Sequence, residues 1–326
     1  MDGSGERGAA PSVQFCTLAD ARFFPGLVGL VNSLRLHGHC EPISVLDLGL
    51  TDAQRAALAS ECDIVPVPPG EARHPWLLDS VACLARPAEI VVYIDADVIV
   101  TQPLHDLIDR ARVGGIVVFP DALPDRWFAE WHEIFGLAEP LRHQTYVNSG
   151  CFALSTGRFP ALLPRWLEAC ERIIGRPTVS DDLREIDTPV GFSSQEAWNA
   201  LLMSEVPAFT VDLQPVGTEV HRSQLPLVEV RDVRTLDCWL DGQAPTLLHH
   251  WGEPKPWESW THRDAANAYT TCLRRLLAGD DVAVRIDRRE IPRWLRPGPV
   301  GAVARRMARW RRSQPIGASN PAASNK

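Results

Sequence analysis

Short, nearly continuous apolar runs alternate along this chain with stretches whose apolar residues recur at helical spacing. Residues 13–18 (VQFCTL), 43–48, 63–67, 89–100, 115–120, 145–154 and 246–251 read as strands, with weaker ones near Phe209 and Val228. The strand at 145–154 carries a polar break at Asn148, Ser149 and Gly150. Between the strands, residues 23–37 set Leu27, Leu30, Val31 and Leu34 on one helical stripe. Thr51 opens a further helix as N-cap, with Gln54 three positions on completing a capping box. Helices are also expected over 74–84, from Pro103 to Arg112, over 159–174, over 194–205 with a capped start, and over 262–277. This alternation predicts an α/β fold, a doubly wound and mostly parallel central sheet flanked by helices.

The run at 89–100, EIVVYIDADVIV, is the one on which chemistry is expected. If its strand finishes at Tyr93 or Ile94, Asp95 and Asp97 emerge together at the carboxyl edge, where open α/β sheets hold their ligands. Two crowded carboxylates repel unless a cation lies between them, and hard oxygen ligands suit Mg²⁺ or Mn²⁺ with substrate phosphates completing the shell. The competing reading of Asp95 and Asp97 is a solvated turn at a strand end.

Composition narrows the class. A chain of 326 residues with 45% apolar residues can build a full core, and a net charge of −8 argues against a nucleic-acid partner. Its eight cysteines are scattered, as reduced core thiols of a cytoplasmic protein would be. Residues 1–12 have no apolar segment like a signal peptide, and no run is long enough to span a membrane. Lysine occurs only at Lys255 and Lys326, in a chain that otherwise uses arginine. Lys255 lies in LLHHWGEPKPW, where a strand delivers His249 and His250, Gly252 permits close backbone approach, and Pro254 and Pro256 stiffen the loop. One of the two imidazoles can complete an Asp/Asp/His metal site, and the Lys255 ammonium can reach a bound phosphate.

A strand ending in DxD, a later Asn-Ser-Gly strand, a helix opening on Gln195 and Glu196, and the run from His249 through Gly252, Lys255 and Pro256 to Trp257 resemble the family 8 retaining glycosyltransferases of GT-A fold. The resemblance implies a metal-dependent transferase moving a hexosyl group from a UDP-sugar to an acceptor hydroxyl. It implies Asp95, Asp97 and His249 as ligands of Mn²⁺ or Mg²⁺, with Asp97 and Gln195 as catalytic residues. It further implies a donor site at Thr17, Leu18, Ala19, Asp20, Phe23, Ala96, Asn148, Ser149, Gly150, Gly252 and Lys255. Ser194 stands where the family often has Asp, and Arg73 is the substitute available for a basic residue before the DxD strand.

Two other classes share parts of this pattern: a haloacid-dehalogenase-like phosphatase, with Asp181 and Asp182 as its late acidic pair, and a non-catalytic sugar-nucleotide-binding protein. The order of motifs argues against the first, and the presence of Asp95, Asp97 and His249 together argues against the second. Residues 121–144, with Trp127 and Trp131, are the expected acceptor contact, against the alternative of packed core tryptophans. The domain is expected to span 13–284, after a disordered leader at 1–12. Residues 285–326 are expected as a basic tail, in which Val300, Val303, Met307 and Trp310 recur on one helical face among arginines and suit an anionic membrane surface, the alternative being a helix docked on the acidic body or on a partner.

Overall fold

The computed structural model describes residues 12–68, 77–174, 187–258, 267–296 and 302–303. In chain order its elements are β1 (Val13–Ala19), α1 (Phe24–Leu36), β2 (Ile43–Asp47), α2 (Asp52–Leu58), β3 (Asp63–Pro66), α3 (Asp79–Leu84), β4 (Ile90–Ile94) and β5 (Val98–Val100). There follow α4 (His105–Arg112), β6 (Ile116–Pro120), α5 (Trp131–Ile134), β7 (Val147–Ser155), α6 (Leu162–Glu171), α7 (Ser194–Ser204) and β8 (Val211–Leu213). The last elements are β9 (Glu219–His221), β10 (Glu229–Asp232), β11 (Asp237–Trp239), β12 (Leu247–His249) and α8 (Ala268–Ala278).

Seven strands form the central sheet in the order β3-β2-β1-β4-β7-β6-β8. All run the same way except β7, which is antiparallel to both β4 and β6. The sheet is therefore mostly parallel and flanked by helices. The run expected as one strand over 89–100 is two. After Ile94 the chain turns through Asp95, Ala96 and Asp97, and Val98–Val100 joins a separate sheet, β5-β12-β9, antiparallel to β12. The turn is held by backbone bonds from Asp95 N to Gly150 O (2.8 Å) and from Val98 N to Asp95 O (3.1 Å).

The polar break expected at 148–150 does not end its strand, because β7 runs through it, paired to β4 as far as Cys151 opposite Ile94. The interruption is on the other side. Opposite β6 the register jumps from Val118–Phe152 to Phe119–Asn148, so residues 149–151 leave the β6 ladder, with Cys151 still paired to β4. The capping box at Thr51 and Gln54 is present, whereas α7 begins without a side-chain cap: Ser193 has φ 48° and its hydroxyl makes no hydrogen bond to Gln195 or Glu196. The helix before β4 is described from residue 77 onward, and the start expected at His262 for the last helix lies outside the described residues.

The core fills both faces of the sheet. Leu27, Leu30, Val31 and Leu34 of α1 meet Leu273 and Leu276 of α8 on one face. On the other, Trp166 of α6 and Trp198 of α7 close over Phe152, whose ring stacks on Trp198 at 4.5 Å. Ile291 and Leu295 are buried with the first group. Leader residues 1–11, Arg73, Asp181, Asp182, Val300, Met307 and Trp310 lie outside the described residues. Among the described residues no helix is long and apolar enough to cross a membrane.

Candidate active site

At the carboxyl end of β4 the chain must leave a fully buried strand, and its exit turn carries the two acids. Tyr93, the last but one residue of β4, donates its hydroxyl to Asp95 Oδ1 at 2.7 Å. Asp97, at the entrance to β5, is brought against β12 by the antiparallel pairing of Val98 with His249. Backbone and side chains then agree, since His250 N donates to Asp97 O (3.1 Å) while His249 Nε2 sits 3.3 Å from Asp97 Oδ1 and 3.8 Å from Asp95 Oδ2. His249, and not His250, is the imidazole that faces the acids. The three ligand atoms of Asp95, Asp97 and His249 lie within 4.8 Å of one another.

Lys255 comes into the same cluster. Its ammonium is 2.6 Å from Asp97 Oδ2, donates to His250 O at 3.1 Å, and stands 5.2 Å from the Phe23 ring centroid. The loop bearing it is held by Trp257, whose ring packs edge-on against Phe23 and whose Nε1 donates to Arg22 O at 2.8 Å. Because β1 lies beside β4 in register, with Cys16 opposite Tyr93, Thr17, Leu18, Ala19 and Asp20 reach the same sheet edge as Asp95. Asp20 Oδ1 accepts from Arg22 N and Phe23 N and shapes the turn into α1. Thr17 Oγ1 is buried with no hydrogen-bond partner among the described residues.

The residue types fit a divalent cation. Burial alone would raise the Asp97 carboxyl, but the Lys255 ammonium and the His249 ring hold it well below the usual carboxylate range. Burial and repulsion from Asp97 hold Asp95 above that range. Burial opposes charge on His249, yet Asp97 and Glu219 outweigh it and raise the imidazolium well above its usual value. Paired acids under this repulsion are stabilised by a cation, and the wall beside them is kept free of side-chain atoms. A Cβ on Gly150 would fall 2.6 Å from Asp95 Oδ2 and 2.7 Å from His249 Cε1. A second cluster, His39, Glu41 and His105, is chemically poorer, because His39 Nε2 accepts from Leu104 N at 2.8 Å. The proton of a neutral His39 must then be on Nδ1, the atom facing Glu41, with no lone pair left for a metal.

Gln195, in the first turn of α7, is held at both ends of its amide. Its Oε1 accepts from Ser149 N (3.0 Å) and Ser149 Oγ (3.4 Å), and its Nε2 donates to Asp121 Oδ2 (3.1 Å) and Tyr146 OH (3.2 Å). Asn148 Oδ1 accepts from Gly150 N at 2.6 Å, and Asn148 Nδ2 lies 3.4 Å from the same Asp121 Oδ2. Gly252 stands at φ 78°. Two further residues enter that the sequence did not single out. Asp79 of α3 accepts from Ser194 Oγ (2.5 Å) and lies 3.0 Å from Tyr93 OH, whose hydrogen goes to Asp95, and Glu219 of β9 bonds His249 Nδ1. Neither sits in a motif, and no spacing in the sequence relates them to Asp95 or His249. Of the two tryptophans in 121–144, Trp131 is fully buried and donates to Pro189 O, so it is core; Trp127 stacks on His143 at 4.3 Å.

The sheet, with its single reversed strand and the acidic turn at the edge of β4, is the GT-A arrangement of glycosyltransferases. Two solved structures carry the comparison. A glutamine-to-glutamate active-site mutant of LgtC aligns with TM-score 0.50 at 16% identity over 85% of this chain and 98% of its own. The apo structure of WbbM, a bifunctional glycosyltransferase, aligns with TM-score 0.54 at 14% identity over 84% of this chain and 50% of its own. No protein-family model and no curated protein matches the sequence.

Proposed function

We propose that this chain is a metal-dependent retaining glycosyltransferase that moves a hexosyl group from a UDP-sugar to an acceptor hydroxyl. The observation that carries the reading is the meeting of Asp95 and Asp97, from the turn after β4, with His249 of β12, and of Lys255 with the Asp97 carboxylate. Asp95, Asp97 and His249 would hold Mn²⁺ or Mg²⁺. When bound, such a cation supplies Lewis-acid stabilisation of charge developing on a diphosphate leaving group.

The chain's own residues divide the remaining work. Lys255 adds a positive charge at the diphosphate, and Gly252 lets the backbone approach it. Thr17, Leu18, Ala19, Asp20 and Phe23 hold the nucleoside along the end of β1, with Ala96 between the acids. Asn148, Ser149 and Gly150 face the donor sugar from β7. Gln195 positions that sugar: its amide oxygen is weakly basic and already bonded to Ser149, which favours front-face attack by the acceptor over a covalent adduct on Gln195. Asp79 and Ser194, bonded to each other, stand between the acidic turn and Gln195 and would select among donor hydroxyls.

A panel of UDP-, GDP- and dTDP-sugars, followed by thermal shift and by donor hydrolysis with Mn²⁺ or with chelator, tests this. UDP-sugars should raise the melting temperature only with metal, and Asp97→Asn should abolish that response while the protein still folds. A nucleotide response equal in chelator, or retained by Asp97→Asn, would refute the assignment.

A further inference from the structure

His249 belongs to two overlapping groups of potential metal ligands, Asp95-Asp97-His249 and Glu219-His221-His249. One imidazole has one lone pair to give when its other nitrogen carries a proton, so both groups cannot use it at once. Nδ1 is 2.7 Å from Glu219 Oε1, whereas Nε2 is 3.3 Å from Asp97 Oδ1. The pairing of β9 with β12 produces this contact: Glu219 is in register with Leu247, and the parallel strands place His249 two residues further along the same face.

We infer that Glu219 is the positioning residue of the metal site, holding the Nδ1 hydrogen of His249 so that the Nε2 lone pair is directed at Asp95 and Asp97. The burial of Glu219 makes the contact strong. Its side chain is fully buried, and a buried carboxylate needs donors. Oε2 finds none among the described residues, so among them the Nδ1 hydrogen of His249 is the donor this carboxylate has. Releasing it would leave both oxygens of a buried acid unpartnered, so ring rotation and the other tautomer are opposed. The same bond removes Nδ1 from the Glu219-His221 side, which is therefore not a second metal site. His221 Nε2 faces Pro120 O at 3.4 Å, and its ring centroid is 6.1 Å from that of His249.

This rests on the metal reading above, and its test separates the two. Mn²⁺ alone is titrated into the full chain and free ion is counted by electron paramagnetic resonance. Imidazole ¹⁵N–¹H correlation spectra are recorded without metal and with Zn²⁺, His249 being identified by loss of its signals in His249→Gln. The expected result is a protected Nδ1–H resonance from His249 in both states. It should persist in Glu219→Gln, which keeps an acceptor, and disappear in Glu219→Leu. Mn²⁺ affinity should fall about 10- to 100-fold in Glu219→Leu, and only a few-fold in Glu219→Gln, while His221→Gln stays near wild type. Unchanged Mn²⁺ affinity in a folded Glu219→Leu overturns the inference, as does an unprotonated Nδ1 in the wild type. Loss of Mn²⁺ in both Glu219→Gln and His221→Gln would make those residues ligands and overturn it as well. If the wild type binds no Mn²⁺, the metal reading fails, and the Nδ1–H resonance of the metal-free protein still decides the Glu219 contact.

Discussion

Asp79 accepts from Ser194 Oγ and lies 3.0 Å from the Tyr93 hydroxyl, whose hydrogen goes to Asp95, and no cation among the described residues is hydrogen-bonded to it. Burial and repulsion from Asp95 push its carboxyl from 3.8 to about 7. The folded protein thus keeps a proton that the unfolded chain releases near pH 4, so the group's contribution is fully present below the ordinary carboxyl range and is lost as pH rises through about 7. Asp79→Asn cannot ionise. Its melting temperature relative to wild type, measured without divalent cations, should therefore rise by a few degrees between about pH 5 and pH 8. A difference that stays constant over that range would show that Asp79 does not titrate there. Asp79, Tyr93, Asp95 and Ser194 form one chain of contacts, yet the sequence exposes only Asp95 and Ser194, because only those fall in motifs.

At the scale of elements, the site depends on how closely α1 approaches the acidic turn. Gly26 makes this possible: a Cβ there would lie 2.5 Å from Ala96 O and 2.5 Å from Trp257 Cη2. Both obstacles are rigid, one being backbone of the acidic turn and the other a ring fixed by its bond to Arg22 O. Gly29, one turn on, meets only the Cδ1 of Leu273 at 2.7 Å, the end of a flexible side chain. Gly26→Ala should cost about 1–3 kcal/mol and Gly29→Ala clearly less, read from urea unfolding of the two variants. Equal costs would mean that α1 can slide away from the turn. The stripe of α1 and the capping box of α2 were readable from residue spacing, since helical period and a side chain three positions away are local properties. The uncapped start of α7 was not, because Ser193 takes a left-handed φ of 48° inside a turn whose backbone bonds are set by Val190 and Phe192.

For the whole molecule, the described residues that follow α8 as far as 296 are part of the body. Ile291 and Leu295 are buried among residues of α1 and α8, and Trp294 Nε1 donates to Pro256 O at 2.8 Å beside Lys255. Asn32 of α1 ties the same region down, donating to Leu276 O and Val284 O and accepting from Val284 N. Leu295→Ala should therefore destabilise the protein by about 2–5 kcal/mol in denaturant unfolding, as for any buried leucine; a loss within about 0.5 kcal/mol would place that segment outside the core. The basic composition after Arg285 hides this, since the apolar residues that reach the core are few and spaced irregularly among arginines.

What the chain's own order of residues determined was the central-sheet strands up to β7 and most of the helices around them, the acids at the end of β4, and a stretch that offers an imidazole at 249 or 250 and the ammonium of Lys255. Each of these follows from hydrophobic period or from residue type within a short window. The tertiary structure alone decided that the run after Ile94 divides between two sheets, that β7 is reversed, and that Glu219 and Asp79 stand behind His249 and Asp95. Such contacts are fixed by the register of one strand against another distant in sequence, and a register is set by the packing of the whole core, which no local window contains.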